Sequence, residues 1–238
     1  MWRRLRSRRG ICAFVVTATI LVCCSCAKTI PYDPYLGESS KSAQTILLDA
    51  LNVFSSVYSV REQGTESLDG ITVSVNIVAG RHGGGGTIRL GPTSLNLVLQ
   101  GNDLYIRADA TSWDRIGFAG KSPNLADRWV RTSTRLQPFG AFAEKLDLTQ
   151  LLFMRGSIGH VVKEPSTSMD GISVIPLRSD STGLTLYVRD GRGAPALIAT
   201  KDAGASGMIR FSDYNTAELP VAPSASVDLA SVPTVQQQ

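Results

Sequence analysis

Apolar residues recur along this chain with two different periods. Between residues 39 and 58 they recur at steps of three and four, which predicts an amphipathic helix with one broad apolar face. The residues on that face are Ala43, Ile46, Leu47, Ala50, Leu51, Phe54 and Val57. Beyond residue 59 the period changes to two, as in strands that bury one side and expose the other.

Short alternating runs predict a sheet in the rest of the chain. The three clearest runs place on one side Ile71, Val73, Val75, Ile77, Leu95, Leu97, Leu99, Leu184, Leu186 and Val188. Weaker runs predict strands at residues 104–107, 129–130, 160–163, 172–177, 196–201 and 208–214. Turn-forming pairs such as Asp69-Gly70 and Asp170-Gly171 separate several of these runs. Short successive strands joined by tight turns are typical of an antiparallel meander.

Two further segments bear on the architecture. Apolar residues between Phe139 and Phe153 predict a second helical region, broken near residues 147–149. The run Arg81–Gly86 (RHGGGG) lacks the lysine and the Ser or Thr of a phosphate-binding loop, so we expect a flexible hairpin tip there. The whole pattern predicts an α+β fold, in which helices with one apolar face cover one side of an antiparallel sheet.

The start of the chain has the layout of a secretory signal peptide. Five arginines without an acid precede an apolar run at residues 11–24, and Ser25 precedes Cys26. The run is shorter than the roughly 20 residues that a transmembrane helix needs. The segment resembles a bacterial lipoprotein signal peptide, with Cys26 as the expected lipid acceptor. Cys24 is the alternative, because Leu21 lies three positions before it, and ordinary cleavage that leaves a free thiol is a second alternative.

These features predict four segments. Residues 1–25 form the signal peptide, and residues 26–37, which hold two prolines and a glycine, form an extended tether. Residues 38–220 form the folded domain. Residues 221–238 form a tail that we expect to be loose apart from one last short strand.

Composition excludes several classes of function. All four cysteines lie in the first 26 residues, so the domain has no thiol nucleophile or cysteine metal ligand. The arginines of the leader account for the basic pI, since the chain beyond residue 25 has 19 basic residues against 20 acidic ones. This balance argues against nucleic-acid binding. The histidines, His82 and His160, belong to no HExxH or triad-like motif, and we expect no catalytic residue, metal or cofactor.

The order of elements resembles one family. Residues 101–106 (GNDLYI) form a turn and strand, Trp113 follows Tyr105 by eight residues, and the last long strand ends in residues 211–214, before Pro220. This order, together with the lipid-acceptor motif, resembles the mycobacterial LppX/LprG type of envelope lipoprotein, which is related to the LolA and LolB carriers. The resemblance implies a curved antiparallel sheet, or half-open β-barrel, with helices packed across its concave apolar face. It also implies a cavity that holds acyl chains.

We therefore expect a lipoprotein anchored on the extracytoplasmic side of the cell membrane through its N-terminal acyl chains. It would bind or transfer lipids or glycolipids without catalysis. The candidate cavity residues are Val73, Val75, Ile77, Leu97, Leu99, Leu184 and Leu186. The alternative is a packed scaffold that binds another envelope protein through its outer surface, and a hydrolase is a distant third possibility.

Overall fold

The computed structural model describes residues 37–68, 70–149, 158–191 and 194–234. Cys24, Cys26 and almost all of the expected tether lie outside these residues, as do Leu151, Leu152 and Phe153 of the second predicted helical region. No helix within the described ranges is long and apolar enough to cross a membrane.

A sheet of thirteen strands is the largest structural element of the described residues. The strands are β1 (Ser59–Leu68), β2 (Ile71–Gly80), β3 (Gly83–Leu90), β4 (Thr93–Gln100), β5 (Asp103–Arg107), β6 (Val130–Ser133), β7 (Val161–Lys163), β8 (Thr167–Met169), β9 (Ile172–Ser179), β10 (Thr185–Arg189), β11 (Leu197–Lys201), β12 (Ser206–Ser212) and β13 (Val227–Asp228). Their order is β13-β6-β5-β4-β3-β2-β1-β12-β11-β10-β9-β7, and β8 pairs with β9.

The sheet is curved and does not close, which confirms the predicted α+β fold with a half-open barrel. All strand pairs are antiparallel except β13 with β6. Strands β1 and β12 are far apart in the sequence but pair in the sheet, where Arg61 lies opposite Ser212. This pairing sets β2–β6 on one side of β1 and β9–β12 on the other.

Four α-helices within the described residues accompany the sheet. They are α1 (Ala43–Ser56), α2 (Ala110–Trp113), α3 (Ser122–Leu125) and α4 (Phe139–Leu146). A π-helical turn (Asp114–Phe118) follows α2, and 3-10 turns lie at Glu38–Ser40 and Leu229–Ser231. The long helix begins later than the sequence predicts because Ser42 caps it, its hydroxyl accepting a hydrogen bond of 3.2 Å from the Thr45 N–H.

Helices α1 and α4 cover the same face of the sheet, which we call the inner face. Helix α1 packs against β7, β10 and β11, with Ile46 and Leu47 buried beside Leu186. Helix α4 packs against β2, β3 and β4, with Leu146 buried beside Leu97. The strand order leaves β1 and β12 between the two covered halves.

Only the first two residues of the run Arg81–Gly86 form the hairpin tip that the sequence predicts. Its four glycines begin β3, and the turn consists of Arg81 and His82. A Cβ at Gly84 would lie 2.5 Å from the Leu146 carbonyl oxygen, and one at Gly85 would lie 2.6 Å from Pro220 Cγ. The glycines are needed because α4 and the C-terminal segment approach the strand closely.

The segment after residue 220 is more ordered than expected. It contains the one short strand that the sequence predicts, β13, which pairs with β6. Leu229 and Val232 beyond that strand are buried in the same core cluster as Trp113 and Phe139. The 3-10 turn at Leu229–Ser231 brings Leu229 and Val232 to the same side of the chain, so both side chains reach the core.

Candidate functional site

Two apolar cavities lie on the inner face. The larger, of about 510 Å³, lies beside α4 and is lined by Val73, Val75, Ile88 and Phe142 among others. The smaller, of about 140 Å³, lies beside α1. We call them the α4 lobe and the α1 lobe. Both are lined by Glu62, Glu66, Lys145, Asp202 and Ile209, so these five residues form a seam between the lobes.

Strand register determines which residues of β1 face the seam. Residues that pair directly across strands point to the same face, and Gly64 of β1 pairs with Ile209 of β12 and Val75 of β2. The inner positions of β1 are thus Glu62, Gly64 and Glu66. A Cβ at Gly64 would overlap the Met208 carbonyl oxygen, so the glycine allows β12 to approach β1 closely between the two carboxyl groups.

The Glu62 carboxyl group lies in apolar surroundings. Glu62 pairs with Ile77 on one side and Phe211 on the other, and the residue is only 5% exposed. Its Oε1 atom has no hydrogen-bond partner among the described residues. Burial raises the pKa of Glu62 to about 7, against the opposing effect of the Lys145 ammonium group. The carboxyl group therefore gains or loses a proton close to neutral pH.

The neighbouring ionisable groups are less isolated. Burial raises the pKa of Glu66, while a hydrogen bond of 3.3 Å from the Asp202 N–H to Oε1 of Glu66 acts in the opposite direction. Burial also raises the pKa of Tyr214, whose hydroxyl donates to the Leu197 carbonyl oxygen. The seam thus carries three carboxyl groups and one ammonium group, and the Lys201 ammonium group also acts on Glu66.

Four of the seven predicted cavity residues line the lobes. Val73 and Val75 line the α4 lobe, and Leu184 and Leu186 line the α1 lobe. The other three, Ile77, Leu97 and Leu99, pack in the core cluster beneath α4.

The polar part of the site could not be predicted from the periodicity of apolar residues. Residues 59–68 (SVREQGTESL) were not recognised as a strand, because polar residues occupy both alternating sets of positions. One feature of the sequence could have indicated the strand. Val60, Glu62, Gly64 and Glu66 are each two residues apart, which is the spacing of positions on one face of a strand. Lys145 also belongs to the seam. It lies within the second predicted helical region, where nothing in the sequence distinguishes it from an ordinary surface lysine.

The histidines lie away from the lobes. His82 is exposed in the turn between β2 and β3, and Nδ1 of His160 lies 2.7 Å from a carboxylate oxygen of Asp180. Across the described part of the chain, no group of three or more His, Cys, Asp or Glu residues could hold a metal ion.

No protein-family model matches the chain, and no curated protein matches it. Among solved structures, LprF from Mycobacterium bovis is similar, with 13% identity and a TM-score of 0.53 over 75% of this chain and 96% of LprF. The Mycobacterium tuberculosis lipoprotein LppX has 14% identity and a TM-score of 0.47 over 76% of this chain and 97% of LppX. The likeness to LprF confirms the LppX/LprG-type fold that the sequence resemblance implies.

Proposed function

We propose that this protein is a lipid-anchored envelope lipoprotein that holds the apolar chains of a lipid or glycolipid in its two lobes, without catalysing a reaction. The observation that supports this most strongly is the α4 lobe. This lobe is an apolar cavity of about 510 Å³ that opens to solvent on the inner face of the sheet. That volume falls within the range of roughly 300–1,000 Å³ that ligand sites occupy.

The lining of the lobes suits acyl chains. Valine, isoleucine, leucine and phenylalanine side chains dominate both lobes apart from the seam. Each methylene that moves from water to such a surface contributes about 0.8 kcal/mol. A chain of about ten methylenes would therefore contribute about 8 kcal/mol, which is comparable to the cost of association.

The anchor is the second part of the proposal. Cys26, or Cys24 in the alternative frame, would receive the lipid, and residues 26–37 would tether the domain to the outer surface of the cell membrane. Two or more acyl chains hold a protein stably, whereas one chain binds reversibly. A tethered domain with an open lipid site would be able to pass lipids between the membrane and other envelope components.

Lipid extraction tests the binding function. The full-length chain would be expressed in a bacterial host that exports and lipidates it, and then purified through a C-terminal tag. We expect mass spectrometry of the organic extract to recover a specific lipid in near-stoichiometric amount, beyond the lipids of a tagged control lipoprotein. Recovery of the same lipids in the same amounts from both proteins would contradict lipid binding and would favour the packed scaffold.

A further inference from the structure

Glu62 is a buried acid without a hydrogen-bond partner at one of its oxygens. The residue is 5% exposed, and its strand neighbours on the inner face are Ile77 and Phe211. No described residue bonds to Oε1. Folded proteins nearly always satisfy buried polar atoms, and those left over mark positions where a ligand or water bonds.

The position of Glu62 defines where such a ligand group would lie. Glu62 lines both lobes, so its carboxyl group faces the seam between them. A group bonded to it would stand between two apolar spaces. This geometry matches an amphiphile whose polar group sits where two apolar arms diverge.

Charge at the seam limits the chemistry of that group. Glu66 and Asp202 lie there with Glu62, and Lys145 is the cation among the residues shared by the two lobes. The Lys201 ammonium group also acts on Glu66, so the seam offers an anionic group no excess of positive charge to offset its desolvation. A hydroxyl group is neutral, donates a hydrogen bond to a carboxylate and accepts one from a protonated carboxyl, so it bonds to either form of Glu62.

We propose that the seam binds the hydroxyl group of an uncharged lipid, which donates a hydrogen bond to Glu62 while one apolar arm enters each lobe. This inference rests on the proposed lipid-binding function and adds the ligand class. It also assigns Glu62 as the residue that selects neutral hydroxylated lipids over anionic ones.

Competition among three matched lipids tests the selection. The probes are 1,2-dioctanoylglycerol, its 3-O-methyl ether and 1,2-dioctanoyl phosphatidic acid, which share their acyl chains and differ at the polar group. The full-length tagged protein would be incubated with equal amounts of the three in detergent micelles, captured, and its bound lipids quantified by mass spectrometry. At about pH 9, where Glu62 is ionised and an ether cannot donate to it, we expect the alcohol to exceed the ether by about tenfold, as a hydrogen bond to an ionisable partner gives. Phosphatidic acid should bind less than the alcohol.

Variants assign the preference to Glu62. Glu62→Leu should bring the ratio of alcohol to ether to within about twofold. Glu62→Gln, which keeps the shape and an acceptor oxygen but no charge, should give an intermediate ratio and covers the case in which the leucine variant does not fold. Glu144→Gln alters an exposed acid on α4 and should leave the ratio unchanged.

The outcomes separate this inference from the function on which it rests. If the wild type binds alcohol and ether equally, prefers phosphatidic acid, or keeps its preference in both Glu62 variants, the role of Glu62 is overturned and lipid binding stands. If the wild type binds none of the three above the level of a tagged protein without a cavity, lipid binding is overturned as well.

Discussion

Glu62 on β1 lies opposite Phe211 on β12, so a carboxyl group and an aromatic ring stand side by side on the inner face of the sheet. The Phe211 ring in turn meets Phe54 of α1 edge-on, at a centroid distance of 5.7 Å. This aromatic pair forms one wall around the acid. It accounts for the low exposure of Glu62 and for the direction of its pKa change.

Glu62 should make the folded protein less stable as pH rises. Its pKa is about 7 when folded, against an ordinary value of 4.5, so the folded state binds the proton more tightly than the unfolded chain does. Stability should therefore fall between about pH 4.5 and 7, and the full loss, about 3 kcal/mol, applies above that range. Glu62→Gln should remove most of this fall and be more stable than the wild type at pH 8.

Urea unfolding at pH 5, 6, 7 and 8 measures the effect. Glu66, whose pKa is also raised, should leave a smaller fall of the same sign in the variant. The other ionisable groups near Glu62 are Lys145, Asp202 and Tyr214. They are the same in the wild type and in Glu62→Gln, so a difference between the two stability curves reports on Glu62. Parallel stability curves for wild type and Glu62→Gln would show that the acid is not the cause.

A bulky side chain in the α4 lobe should displace bound lipid. Val73 is half-buried and lines this lobe, so Val73→Trp should fill part of its space and lower the co-purified lipid at least fivefold. Mass spectrometry of the purified full-length chain measures the amount. Val162→Trp is the matched control, because Val162 is a strand valine that is 39% exposed. Equal lipid loss in both variants would mean that the α4 lobe is not the site.

Gly84 should be required for α4 to pack. A Cβ at this position would lie 2.5 Å from the Leu146 carbonyl oxygen at the end of α4 and would also overlap the Val78 carbonyl oxygen of the neighbouring strand. We expect Gly84→Ala to lower the free energy of unfolding by about 3 kcal/mol, measured by urea unfolding. Arg89→Ala, an exposed change on the same strand, should alter it by less than about 0.5 kcal/mol. Similar values for both would indicate that the backbone adjusts without cost.

Cys26→Ala should abolish acylation. The variant should lose metabolic labelling with an alkyne fatty acid and move from the membrane to the soluble fraction, because the anchoring chains are gone. Cys24→Ala is the control and should keep both the label and the membrane location. The reverse result would assign the acceptor to Cys24, and label in both single variants would exclude either cysteine as the sole acceptor.

The amino-acid sequence by itself determined the local elements of the domain. Helix α1 and strands such as β2 and β4 follow from the spacing of apolar residues within one segment, and periodicity is a local property. The sidedness of the sheet follows from the same spacing. The spacing alone predicts apolar strand faces that contain Val73, Val75, Leu184 and Leu186.

Only the tertiary structure decided which apolar positions became core and which line a cavity. Leu97 and Val75 share one pattern in the sequence, yet α4 covers Leu97 while Val75 faces open space. Strand β1 and its acids were likewise hidden, because their position depends on the pairing of Arg61 with Ser212, which are far apart in the chain. Pairing between residues far apart in the chain leaves no pattern in either local segment. The packing of the helices and the long-range strand pairs therefore determine where the cavity lies and which acid faces it.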